Sequence, residues 1–191
     1  MGAEKPAALH DVELAALAAA GDRAAYGELV RRHGPAVRGL VRRMGADSSA
    51  ADDVAQDAFI LGFEQVAEFR GEGAFAGWIK RIAARLYLRR MKKDARLFLT
   101  DQTPDEEDHS ALDEPRTASR MDLDTALKAL SGVERLCVSL CYGGDLSHSE
   151  AAEALNLPLG TVKSHVKRGL DKLRARLAPE AGLGATRLGH V

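Results

Sequence analysis

Cysteine, proline and aromatic residues are all scarce in this chain of 191 residues, and each shortage removes a class of protein. The only cysteines, Cys137 and Cys141, cannot staple a small secreted fold, and they point to a reducing, cytoplasmic setting. Six prolines and 5% aromatics, beside abundant Ala and Leu, favour helices over sheets. No run approaches the ~18 uninterrupted apolar residues of a membrane span. The stretch from Met1 to Ala20 holds one Lys and three acidic residues, which is wrong for a signal peptide. A phosphate-binding glycine loop, a nucleophile elbow and a paired His/Asp signature are missing too, so the expectation is no enzyme and no cofactor. A soluble, all-helical protein remains, with room for one ordinary domain or two small ones.

The net charge of −1 averages over unlike parts. From Arg70 to Arg96 nine basic residues face Glu72 and Asp94, a local charge of +7. From Leu97 to Pro115 there is no Lys or Arg, and seven acidic residues give −7. From Gly160 to Leu177 six basic residues face Asp171 alone, giving +5. Two basic blocks separated by an acidic spacer are an organisation that the mean conceals.

The acidic stretch also carries Pro104 and Pro115 and little apolar material, so it reads as a flexible linker. The expected division is a helical domain over 1–96, a linker over 97–118, a second helical domain over 119–178 and a disordered tail over 179–191. In the first half Asp11 opens an alanine-rich helix that stops near Gly21. A second helix follows from Asp22, with His33-Gly34-Pro35 expected to bend or interrupt it. A third, capped by Asp47 or Ser48, runs to about Val66. A fourth carries Phe75, Trp78, Ile79, Ile82, Ala83 and Leu86 beside the first basic block. In the second half Leu123, Leu127 and Leu130 mark one helix, and Val133 to Tyr142 another. Ser147–Leu155, the turn Asn156-Leu157-Pro158 and a long helix from Pro158 to about Ala178 form a helix-turn-helix pattern.

On the last helix Val162, Val166, Leu170, Leu173 and Leu177 fall within about 80° of one another, a core stripe. Lys163, Ser164, Lys167 and Arg168 occupy the opposite arc, near the end that would enter a major groove. The fourth helix sets Lys80, Arg81, Arg85, Arg89 and Arg90 beside Phe75 and Trp78, a mixture suited to single-stranded or melted DNA. Phe75 and Trp78 share helical spacing with Ile79 and Ile82, so core packing competes for them. On the third helix Asp53, Gln56, Asp57, Ile60 and Glu64 share one side. An isoleucine inside an acidic patch suggests a basic protein partner. Cys137 and Cys141, one turn apart, have only His148 and His165 as nearby co-ligands and match no zinc spacing, so they read as core and no metal is expected. His10, His33 and His109 fall in segments that read as exposed.

These stretches, in order, resemble a bacterial RNA polymerase sigma factor of the compact extracytoplasmic-function (ECF) type, in the sigma-70 family. Asp52-Asp53-Val54-Ala55-Gln56-Asp57-Ala58-Phe59 is similar to the family's "ED-L-V-Q-E-x-F" segment. Phe69-Arg70-Gly71, Phe75 and Trp78-Ile79-Lys80-Arg81-Ile82-Ala83 are similar to "F-x-G…F…W-L-x-R-I-A". Leu130–Arg135, Leu146-Ser147, Glu150-Ala151-Ala152 and Gly160-Thr161-Val162-Lys163-Ser164 resemble its fourth region, where "G-T-V-K-S" opens the recognition helix. The resemblance spans about residues 14–93 and 122–177.

That resemblance implies two helical domains and a transcription initiation factor that binds core RNA polymerase, promoter DNA and an anti-sigma factor. Asp52, Asp53, Gln56, Asp57 and Ile60 would meet the polymerase. Arg70, Phe75, Trp78, Lys80, Arg81, Arg85 and Arg89 would recognise and help melt the −10 element. Thr161, Lys163, Ser164, His165, Lys167 and Arg168 would meet the −35 element, and the acidic linker would thread toward the active-site channel. Arg85 and Arg89 stand where the family often has Asn and Asp, Ser131 where it has Pro, and His165 where it often has Arg. Two rival readings are a stand-alone regulator of the LuxR type and a sigma mimic that never touches DNA.

Overall fold

The computed structural model describes residues 9–69, 71, 74–93 and 118–177. Arg70, the acidic linker up to residue 117 and the tail from residue 178 lie outside the described residues. Among the described residues the chain is all helical: α1 (Asp11–Ala19), α2 (Arg23–Met44), α3 (Ser48–Glu64), a 3-10 turn (Val66–Glu68), α4 (Phe75–Lys93), α5 (Ala118–Lys128), α6 (Gly132–Val138), a π-helical turn (Ser139–Gly143), α7 (His148–Leu155) and α8 (Leu159–Leu177). None of these helices is long and apolar enough to cross a membrane.

Local chemistry sets the helix ends. The Asp22 carboxylate accepts from the amides of Ala24 and Ala25 at 2.9 and 3.1 Å, and the Asp47 carboxylate accepts from Ala50 at 2.7 Å. Ser131 and Glu134 form a reciprocal capping box on α6, and Ser147 and Glu150 form one on α7. Asn156 takes the left-handed conformation that ends α7 and begins the turn into α8. Pro158 lies just before α8 rather than inside it; its carbonyl accepts the amides of Thr161 and Val162.

Of the bend or interruption expected at Gly34-Pro35, the interruption does not occur. α2 continues through Pro35 for 22 residues, because Leu29, Val37, Leu40 and Val41 on both sides of the proline are fully buried in one face. Packing outweighs the one backbone hydrogen bond that proline removes. His33 is half-buried, contrary to expectation: its Nε2 lies 2.7 Å from Asp11 Oδ2 and its ring lies against Phe75. Asp11 also pairs with Arg32 at 2.9 Å, which ties α1 to α2.

α1 to α4 enclose Leu14, Leu29, Leu40, Val54, Phe75 and Ile79. α5, α6 and α8 enclose a smaller cluster of Ala126, Leu127, Leu130, Val138 and Leu173. Leu177, expected in the α8 stripe, is 44% exposed; it lines an open depression with Thr125 and Ala126 of α5 rather than entering the core. The two halves do not stand apart. The first core continues without a gap into Leu136, Cys137, Leu140, Leu146, Leu155 and Val162 of the second.

Main-chain groups build this junction. Arg135 donates through Nε to the carbonyl of Arg43 at 2.7 Å and through Nη2 to that of Arg42 at 2.9 Å. The Ser139 hydroxyl donates to the Arg43 carbonyl as well, at 3.2 Å. These carbonyls end α2, where orphan acceptors and the negative end of the helix dipole favour a cation. The π-helical turn brings Gly143 so close to Leu40 that an added Cβ would sit 3.0 Å from Leu40 Cδ1.

Candidate polymerase and nucleic-acid interfaces

Three surfaces carry the residues singled out in the sequence. The first lies on α3, where Asp52, Asp53, Gln56, Asp57 and Ile60 are all exposed. Their inward counterparts Ala51, Val54, Ala55 and Ala58 are buried, so helical periodicity alone sorts the two faces. Asp52 lies 3.6 Å from Arg38 and Asp53 lies 3.4 Å from Arg90. Asp57 makes no ion pair among the described residues. Ile60, 53% exposed, borders a groove of about 580 Å³ between α2 and α3 lined by Tyr26, Val30, Gln56, Phe59 and Phe63. The groove is held open from beneath: Tyr26 donates its hydroxyl to the Phe59 carbonyl at 2.6 Å, and burial raises the pKa of that phenol. An apolar groove rimmed by carboxylates suits a helix with an apolar stripe and basic flanks.

The second surface is α4. Phe75 is 1% exposed, which corrects the expectation that it meets nucleic acid; it packs with Phe69, Trp78 and His33 in an aromatic cluster. Trp78 sits at the edge of that cluster and is half-buried. Lys80 and Arg81 are half-buried, and Arg85, Arg89 and Arg90 are exposed. This basic face is not bare. Lys80 Nζ lies 3.5 Å from Asp145 Oδ2, Arg81 Nη1 lies 3.9 Å from Glu150 Oε1, and Lys92 donates to the Ala154 carbonyl at 3.3 Å. α7 and the turn before it therefore cover part of α4. The Glu150 carboxyl is held below the usual carboxylate range, first by the Ser147 amide, then by the Ser147 hydroxyl and the nearby Arg81 and Arg85.

The third surface is α8, the second helix of a helix-turn-helix. Val162, Val166 and Leu173 are buried, while Lys163, Ser164, Lys167 and Arg168 are exposed on the other side. Thr161 and His165 lie at the boundary, half-buried. The Ser164 hydroxyl donates to the Gly160 carbonyl at 2.9 Å, which leaves its lone pairs to accept from a ligand. His165 Nδ1 is 3.0 Å from Arg168 Nη2.

One buried carboxylate belongs to this surface and went unnoticed in the sequence. Glu134, 4% exposed, lies beneath α8 and accepts from Lys172 Nζ at 2.7 Å, with Arg168 Nε at 3.6 Å. Burial by itself raises its pKa, but hydrogen bonds from Lys172 and the Ser131 amide, with the charges of Lys172 and Arg168, lower it below the usual carboxylate range. The one visible signal was a lone carboxylate in the apolar run Val133–Tyr142, three residues after a capping serine. The cysteines behave as core: Cys137 is fully buried and Cys141 partly so. Burial pushes the Cys137 thiol up to about 12 and raises Cys141 as well.

A helix-turn-helix with a cationic outer arc, joined to a helical unit with a second basic face, defines a DNA-binding transcription protein. Comparison with known proteins narrows this class. Sigma-70 region 2 matches residues 29–97, and Sigma-70, region 4 matches residues 126–175. The ECF RNA polymerase sigma factor SigE of Mycolicibacterium smegmatis is 34% identical over 170 residues, covering 84% of this chain; the chain spans 65% of that relative's length. RNA polymerase sigma factor NccH of Alcaligenes xylosoxydans xylosoxydans is 33% identical, over 87% of this chain and 94% of its own. The solved structure of CnrH in complex with the cytosolic domain of CnrY is similar at 29% identity and a TM-score of 0.54, over 87% of this chain and 96% of that one. The chain belongs to the sigma-70 family of RNA polymerase sigma factors, in its ECF group. It is a promoter-recognising transcription initiation factor, a kind of protein that directs polymerase and is not itself an enzyme. The match over residues 29–97 accounts for the half that a stand-alone helix-turn-helix regulator leaves unexplained.

Proposed function

We propose that the three surfaces divide the work of initiation between two domains, over residues 1–96 and 119–178, and that the chain works in the cytoplasm. Asp52, Asp53, Gln56, Asp57 and Ile60, with the apolar groove beside them, take a basic helical element of core polymerase. Trp78, Lys80, Arg81, Arg85 and Arg89 act at the −10 element, with Phe75 supporting Trp78 from the core. Arg70, outside the described residues, belongs to the same group by its place in the sequence. Thr161, Lys163, Ser164, His165, Lys167 and Arg168 act at the −35 element. The observation that carries this reading is the α8 arc: four exposed polar side chains opposite three buried apolar ones, on the second helix of a helix-turn-helix.

An anti-sigma partner is part of the proposal, since CnrH is solved in complex with the cytosolic domain of CnrY. The pairing of α4 cations with Asp145, Glu150 and the Ala154 carbonyl adds a step: DNA or polymerase must displace α7 before the −10 face is free. The experiment is in vitro transcription from genomic fragments with core polymerase, with and without this protein. Initiation at a defined set of start sites only in its presence is the expected result. The same transcripts from core alone would overturn the reading.

A further inference from the structure

We propose that Glu134 is a positioning residue for promoter reading: its buried carboxylate holds Arg168 and Lys172 on α8 and so fixes the orientation in which Arg168 meets the duplex. The inference rests on the reading of α8 as the −35 helix, and it concerns a residue on a different helix, α6.

Glu134 is anchored on its own side before it does anything for α8. Its Oε2 accepts the Ser131 amide at 3.1 Å, and its own amide donates back to the Ser131 hydroxyl at 3.4 Å. The same Oε2 accepts Lys172 Nζ at 2.7 Å, while Oε1 faces Arg168 Nε at 3.6 Å. The approach of α8 is close enough for this because Gly169 lies between the two cations. A Cβ there would sit 2.7 Å from Val138 Cγ2 and 3.7 Å from Glu134 Cβ. Arg168 is bound a second time, by Nη2 at 3.0 Å from His165 Nδ1, which accepts in the tautomer protonated on Nε2. Its side chain is nonetheless 58% exposed. The guanidinium thus keeps an outward edge while an ion pair with Glu134 and a contact with His165 favour one orientation.

An arginine held in one plane offers its fork in one direction, which is what base-edge or fixed-phosphate recognition needs. A freely moving arginine or lysine neutralises any phosphate in reach, and each one so used adds about one unit to the salt dependence of binding. Glu134 converts Arg168 from the second kind of cation to the first, and it withdraws Lys172 from the general phosphate field.

The test uses holoenzyme reconstituted with Glu134→Gln, Arg168→Ala and the double variant, read on a library of −35 variants and over a salt series. Glutamine keeps the cap on α6 and removes only the charge, and helicity by circular dichroism checks the fold. The expected result for Glu134→Gln is at least about threefold flatter base preference at one −35 position and a salt slope steeper by about one to two units, as the cations are released. In the Arg168→Ala background, Glu134→Gln has no further effect on base preference. If Arg168→Ala changes base preference and Glu134→Gln does not, the positioning role is overturned while the reading of α8 stands. If neither single variant nor Lys163→Ala changes output or preference, the reading of α8 falls, and the inference with it. Should Glu134→Gln not fold, Glu134→Asp, with the charge drawn back by one methylene, must shift the same base position, and unchanged preference there overturns the proposal.

Discussion

The guanidinium of Arg135 reaches the last turn of α2, donating through Nε to the carbonyl oxygen of Arg43, 92 residues earlier in the chain, at 2.7 Å. Its neighbour Glu134 reaches the other way, to Lys172 of α8. Two consecutive residues at the start of α6 therefore serve different halves of the molecule, one the junction and the other the helix proposed to meet DNA.

Arg135→Ala leaves the carbonyls of Arg42 and Arg43 without their charged donor. The expected loss of stability is about 1.5–3 kcal/mol, the range for hydrogen bonds to a charged group. Small-angle scattering of the free chain should show a larger radius of gyration. An unchanged radius would mean that the apolar contact around Leu40 and Gly143 holds the halves together alone.

Asp145→Asn combined with Glu150→Gln should strengthen binding of free protein to a single-stranded −10 oligonucleotide. Each partner pair is solvent-accessible and worth about 0–1 kcal/mol, so the two together can add at most about 2 kcal/mol, a gain below about thirtyfold. Glutamine at 150 still caps α7, which separates charge release from unfolding. Fluorescence anisotropy measures the effect, and equal affinity would show that α7 does not compete for the basic face of α4.

Asp57→Lys tests the polymerase surface with the least disturbance inside the chain, because Asp57 is exposed and makes no ion pair among the described residues. Stability should move by less than about 0.5 kcal/mol. Co-purification with core polymerase should fall sharply, since like charges would then meet. Undiminished co-purification would remove α3 from the interface.

Thiol chemistry provides a further check. A Cys137 thiol pushed up to about 12 by burial holds almost no thiolate at pH 8, and Cys141 is raised in the same direction. Iodoacetamide followed by mass spectrometry should label Cys137 only after denaturant is added. Rapid labelling of the native chain would reopen a redox role for the pair.

Acid should loosen the second half. The Glu134 and Glu150 carboxyls both sit below the usual carboxylate range in the folded chain, so their contribution is complete above that range and is lost as pH falls through their folded values. The urea midpoint should drop on acidification, and Glu134→Gln with Glu150→Gln should flatten that dependence.

Much of this architecture was legible because its causes are local. Periodicity placed α3 and α8 and sorted Asp53, Gln56 and Asp57 from Val54 and Ala58, and capping chemistry narrowed the start of α3 to Asp47 or Ser48, between which the structure chooses Asp47. Pro35 misled because a residue's local preference says nothing of the apolar face that carries α2 past it. Phe75 misled for a related reason: spacing put it beside Trp78, but the ring of His33 and the edge of Phe69 decide that it turns inward. The Arg135 contact had no signature at all, since its acceptors are peptide oxygens that every sequence carries.

That last property reaches beyond this chain. The polar part of this clasp, whose receiving side is main chain, does not read the side chains of α2, so its specificity is written in Arg135 and Ser139, while Gly143 answers to the buried Leu40 side chain. Substitutions along the outer face of α2 cannot abolish it, whereas one change in α6 can. In hybrid proteins that join the first half of one relative to the second half of another, the closed arrangement should travel with the donor of the second half, wherever the recipient's helix ends at the same height.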